Sequence, residues 1–132
     1  MPIKYLKKIL IVDDEEDILI SLSNILRRAN YEVISAASGQ EALKLAREKL
    51  PDLIIMDIVI PDIDGGAVAN ILSEGETTAK IPVIFLTGIL SKEEELLSKK
   101  EGGRKSGSYY MMAKPVSKDD LLEMINKIWL TK

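Results

Sequence analysis

The feature that most constrains this chain is a hydrophobic period that keeps changing. Short runs rich in apolar residues (8–12, 32–36, 53–56, 81–86 and 108–112) alternate with longer segments whose apolar residues recur at three and four. The first kind reads as buried strands and the second as amphipathic helices. Five such β-then-α units fill 132 residues with no internal linker and no repeat. The pattern predicts a single α/β domain over residues 1–132, a parallel sheet with helices on both faces, and no room for an output domain.

Each helix carries its own start signal. The acidic cluster from Asp13 to Asp17 suits the positive end of a first helix, whose stripe is Ile18, Leu22, Ile25 and Ala29, widened by Leu19 and Leu26. Ser38 and Glu41 form a capping box ahead of Ala42, Leu45 and Ala46. A third helix follows Gly65 through Ala67, Val68, Ile71 and Leu72, and a fourth opens at the capping box Ser91–Glu94 with Leu96 and Leu97. Ser117 to Asp120 opens the fifth, which carries Leu121, Leu122, Ile125, Ile128 and Trp129.

The middle strand is the pivot. Leu53, Ile54, Ile55 and Met56 run straight into Asp57, and a turn punctuated by Pro61, Asp62, Asp64 and Gly65 follows. An apolar run of that length predicts a strand buried on both faces. Asp57 then lies at the carboxyl end of a central strand, where open parallel sheets bind ligands. Asp13, Asp14, Thr87 and Lys114 fall at the same ends of their own strands. Each alone has a bland reading: a cap, a dipole partner, a turn residue, a solvated charge. Together they make an acidic rim with a lysine and a hydroxyl beside it. A carboxylate buried there is costly unless paired or coordinated.

Composition narrows the chemistry. With no cysteine, disulfides, thiolate metal sites and a cysteine nucleophile are excluded. The absence of histidine removes Ser-His catalysis, the usual zinc sites and a phosphohistidine on this chain. A net charge of −3 gives no support to a general nucleic-acid binder. The basic start of the chain precedes an apolar run too short for a signal peptide or a membrane span, so a cytoplasmic protein is expected. Oxygen-only ligands suit a hard cation such as Mg²⁺. A lysine and a hydroxyl facing it cradle a tetrahedral anion, and the chemistry that fits is phosphoryl transfer to a carboxylate.

The series Ile11-Val12-Asp13-Asp14-Glu15, Met56-Asp57 with Pro61 and Asp64-Gly65, Phe85-Leu86-Thr87-Gly88 and Lys114-Pro115 resembles the receiver domain of two-component response regulators over essentially the whole chain. The resemblance implies a five-stranded, doubly wound, flavodoxin-like sheet of order 2-1-3-4-5 with five helices, of the kind found in single-domain chemotaxis receivers. It implies that Asp57 accepts a phosphoryl group from a sensor histidine kinase or a histidine phosphotransfer protein. Asp14, Asp57 and the main-chain carbonyl of Val59 would bind Mg²⁺, with Asp13 reaching the ion through water. Lys114, before a cis peptide to Pro115, would pair with the phosphoryl oxygens, and the Thr87 hydroxyl would swing towards them. A downstream protein would read the face made by the fourth helix, fifth strand and fifth helix. No direct contact with nucleic acid or membrane is expected, and no enzyme activity beyond the chain's own phosphotransfer and dephosphorylation.

Three features depart from the family pattern or refine it. The usual switch aromatic falls on Met111, while the adjacent Tyr110 should point to the opposite face. Val59 and Ile89, two residues beyond Asp57 and Thr87, offer no polar group to orient an attacking water, which predicts a long-lived phosphoryl group. Residues 102–107 lengthen the connection before the fifth strand by a charged, glycine-rich loop, which reads as solvated, and Trp129 reads as packing at the core edge. Two other classes compete: a receiver-like interaction module that is never phosphorylated, and a Mg²⁺-dependent aspartyl phosphohydrolase. The complete set of rim residues argues against the first. No large insertion that could act as a cap and no glycine-rich phosphate loop support the second. A flavin or nucleotide binder on the same fold is disfavoured by the acidic rim.

Overall fold

The computed structural model describes residues 6–60, 62–88 and 109–131. Among them are β1 (Lys8–Val12), α1 (Glu16–Arg28), β2 (Glu32–Ala36), α2 (Gly39–Lys49), β3 (Leu53–Asp57), α3 (Gly65–Ser73), β4 (Val83–Thr87), β5 (Tyr109–Ala113) and a last helix, α4 (Lys118–Leu130). The helix expected at Ser91, the loop 102–107 and Ile89 lie outside the described residues.

All five strands are parallel, in the order β2-β1-β3-β4-β5. Period-two alternation then sorts the side chains into two cores. Leu10, Val12, Ile54, Met56, Val83 and Phe85 face α2 and α3, meeting Ala42, Leu43, Ala46, Val68, Ala69 and Leu72. Ile9, Ile11, Leu53, Ile55, Ile84 and Leu86 face α1 and α4, meeting Leu22, Leu26, Leu121, Ile125 and Ile128. Every residue of β3 and β4 is buried, as their unbroken apolar runs predict.

The helix starts follow their chemistry with local adjustments. Ser38 caps α2 by accepting the Glu41 amide at 3.2 Å, and Ser117 caps α4 by accepting the Asp120 amide at 3.1 Å. Glu41 returns to the amide of Ala37, at 2.9 Å, rather than to Ser38 itself. In α1 the N-cap is Glu15, without a side-chain cap, so neither Asp13 nor Asp14 is spent in that role. In α3 the buried face is Gly65, Val68, Ala69 and Leu72, leaving Ile71 exposed. The polar stretch after α3 contributes a buried residue: the Thr78 hydroxyl donates to the Leu72 carbonyl at 2.6 Å, closing that helix end. The fifth strand runs one residue further than its pattern suggests, to Ala113. Trp129 packs at the edge of the second core, as expected, and its indole N–H donates to the Tyr31 hydroxyl at 2.8 Å.

Candidate functional site

Register brings the strand ends to one rim. Val12 pairs with Met56, Asp57 with Leu86, and Thr87 with Ala113, so Asp13, Asp57, Thr87 and Lys114 end neighbouring strands. Asp13 is 1% exposed, Asp57 9% and Thr87 4%, whereas Asp14 is exposed. Buried carboxylates need partners, and the geometry supplies them. The Lys114 ammonium donates to Asp13 Oδ2 at 3.1 Å and to Asp57 Oδ2 at 3.0 Å. The other oxygens are held by backbone: Asp13 Oδ1 accepts the Glu15 amide at 2.9 Å, and Asp57 Oδ1 accepts the Val59 amide at 3.1 Å.

Lys114 is also held through its own main chain. Its amide donates to the Thr87 carbonyl at 2.9 Å, and its peptide bond to Pro115 is cis. Burial disfavours its charged form, but the hydrogen bonds and negative charge of Asp57 and Asp13 outweigh that, so the ammonium titrates above the ordinary lysine value of 10.5.

Asp13, Asp14 and Asp57 each place a carboxylate oxygen within 4.8 Å of the others. One lysine facing three carboxylates leaves the rim negative. The donor set is all oxygen, partly buried and partly open through Asp14, which fits a hard divalent cation that keeps some of its water. Val59 enters the site through its amide, and its side chain is 70% exposed.

A family model for the response regulator receiver domain matches residues 9–126. The chain belongs to the response regulator receiver family. It is 34% identical to the protein PilH of Pseudomonas aeruginosa over 121 residues, 92% of this chain and 96% of that one. It is 37% identical to the polar-differentiation response regulator DivK of Brucella ovis over 119 residues, covering 90% and 93%. Among solved structures, the chemotaxis response regulator CheY4 of Vibrio cholerae superposes with a TM-score of 0.78 at 30% identity, covering 94% of this chain and 99% of that one.

Within this receiver the expected residues lie at one rim. Lys114 contacts Asp13 and Asp57, Asp14 brings a carboxylate oxygen within 4.8 Å of theirs, and Thr87 accepts the Lys114 amide through its main-chain carbonyl. Met111 and Tyr110 lie on opposite faces of β5, packed against the first and second cores respectively. An aromatic does stand on the Met111 face, two residues earlier: Tyr109 lies against Phe85 with ring centroids 5.9 Å apart.

One residue near the site was not legible in the sequence. Asp62, in the turn after β3, accepts the amides of Gly39 at 2.9 Å and Gln40 at 3.0 Å, the first two of α2. A turn aspartate ordinarily bonds its own neighbours. No local signal announces a partner more than twenty residues away.

Proposed function

We propose that this receiver is a phospho-accepting switch: Asp57 takes a phosphoryl group from a phosphohistidine on a sensor kinase or phosphotransfer protein in the cytoplasm. The observation that carries the reading is the pair of contacts from Lys114 to Asp57 and Asp13, set among three converging carboxylates. In the proposed step an Asp57 oxygen attacks phosphorus as the P–N bond breaks. The electron pair stays on the imidazole nitrogen of the donor, which takes a proton from solvent. Lys114 holds Asp57 in place beforehand and offers its ammonium to the phosphoryl oxygens as charge gathers there. Thr87 supplies a hydroxyl at the adjoining strand end.

Asp13, Asp14, Asp57 and the Val59 carbonyl are the groups that would hold Mg²⁺, whose bound charge neutralises phosphoryl oxygens. The whole chain acts as one receiver unit whose product is a changed surface rather than a released compound. The downstream reader is a protein that contacts β5 and the helices flanking it. Two facts support that surface as the output: β5 is the last strand of the sheet among the described residues, and its rim end is tied to Thr87 by the Lys114 amide. No described helix is long and apolar enough to cross a membrane.

The test is intact mass after incubation with Mg²⁺ and acetyl phosphate, beside Asp57→Asn. The expected outcome is one added phosphoryl group in the wild type and none in the variant or without Mg²⁺. A wild type that binds Mg²⁺ but accepts phosphate neither from acetyl phosphate nor from any histidine kinase would leave an interaction module.

A further inference from the structure

The turn after Asp57 has to hold its shape without help from the exposed side chain of Val59. Val59 is 70% exposed, yet its amide sits on Asp57 Oδ1. Packing of its own side chain therefore fixes little, and the turn must be fastened on either side. On one side the Gly65 amide donates to the Ile58 carbonyl at 2.8 Å. Ile60 is buried in the first core, and Ile63 packs against it. On the other side stands Asp62, exposed to solvent but engaged through both oxygens with the start of α2.

That engagement is strong for a surface carboxylate. The first amides of a helix have no partner within it. Asp62 takes two of them, Ser38 takes the next, and the helix dipole favours a negative charge at this end. The same backbone hydrogen bonds from Gly39 and Gln40 hold the Asp62 carboxyl below its ordinary value of 3.8. A second observation puts turn and helix in direct contact. A Cβ at Gly39 would lie 3.0 Å from Cβ of Ile63 and 3.1 Å from a methyl of Val68, so a side chain at residue 39 would require the turn or α3 to give by a few tenths of an ångström.

We infer that Asp62 is a positioning residue for the Asp57 site, tying the turn that carries Val59 to the N-terminus of α2. The inference rests on the reading of Asp57 and Val59 as parts of a Mg²⁺-binding phosphoacceptor site. Asp62 touches neither the ion nor the phosphoryl group. It sets where the Val59 peptide stands, so its loss is felt as weaker metal binding. Two different changes reach the same contact: Asp62→Ala removes the tether, and Gly39→Ala presses on Ile63 and Val68.

Calorimetric titration with Mg²⁺ alone, on the unphosphorylated full chain, tests this. Removing a group that orients a metal ligand typically weakens binding 10–100-fold, so Asp62→Ala is expected to lose about tenfold in Mg²⁺ affinity. Asp62→Asn, which keeps one acceptor oxygen, should fall between it and the wild type. Exchange of the Val59 amide should quicken in step. Ser38→Ala is the control, because it removes the acceptor of the Glu41 amide at the same helix end without touching the turn. It should lower the melting temperature and leave Mg²⁺ affinity unchanged. Wild-type affinity in Asp62→Ala overturns the inference, and so does an equal loss in Ser38→Ala, which would make helix stability the cause. A wild-type chain indifferent to Mg²⁺ would instead remove the reading of the site, and the inference with it.

Discussion

Strands β3 and β5 end at the same rim and are built in opposite ways. β3 is paired on both sides, by β1 and β4, and all five of its residues are buried. Among the described residues β5 is paired by β4 alone, and of its residues only Met112 is buried. The first delivers Asp57 and the second leads into Lys114, the two partners of a 3.0 Å ion pair. The difference teaches how such a site divides its work. Under the proposed function, the atom that must meet an incoming phosphorus in line is set on a strand buried along its whole length and paired on both sides. Its cation sits past an edge strand, where a change of charge at the rim has freedom to become a change of surface.

The largest effect that would sharpen this comparison is at Lys114. Lys114→Ala should slow phosphorylation by acetyl phosphate about 100-fold, the usual cost of losing one oriented charge partner of a transition state. The same variant should bind Mg²⁺ more tightly, since a competing cation has left Asp13 and Asp57. Loss of both phosphorylation and Mg²⁺ binding would mean that Lys114 merely holds the rim together.

Stability separates the strands next. Ile55→Ala empties a fully buried site between β3 and the second core and should cost about 3 kcal/mol. Met111→Ala, on the half-buried edge strand, should cost about 1 kcal/mol by the same scale. Urea unfolding measures both, and equal costs would break the distinction between a rigid and a yielding strand.

A smaller effect lies in alkaline pH. The folded-state pKa of Lys114 is raised, so its ion pairs contribute stability that is full below the unfolded value near 10.5 and is lost as pH rises through the folded value. The melting-temperature gap between the wild type and Lys114→Gln should therefore persist through neutral pH and close only in strongly alkaline solution. A gap that closes below pH 9 would assign the stability to other groups.

The smallest change is expected from Met111→Tyr, which should leave stability within about 0.5 kcal/mol, as for most substitutions away from fully buried sites. Its signature is in coupling: amide shifts of β5 and α4 on phosphorylation should grow when an aromatic replaces the adaptable thioether. Identical shifts would show that the edge strand responds without an aromatic switch.

Most of the fold was legible because it follows from local rules. Branched runs such as Ile9–Val12 and Leu53–Met56 cannot be helix stripes, and Ser38 and Ser117 start helices through atoms three residues away. The rim was legible too, since a parallel sheet places every strand's carboxyl end on one side, whereas the adjacency of Asp13, Asp57, Thr87 and Lys114 follows from the strand order β1-β3-β4-β5. What stayed hidden depends on contacts between elements. Nothing around Thr78 marks it as buried, because its partner is a carbonyl at the end of α3. Nothing around Asp62 marks it as a clamp on α2.

By itself the sequence determined the parallel architecture, the two apolar faces and the identity of the residues gathered at the rim, because periodicity and turn chemistry act over a few residues. Only the tertiary structure decided how those residues are paired. Lys114 bridges Asp13 and Asp57 across 101 and 57 positions, and Asp62 reaches amides 22 and 23 positions back. Hydrogen bonds of a few ångströms are selected by packing angles and register, and no local pattern in the chain encodes them.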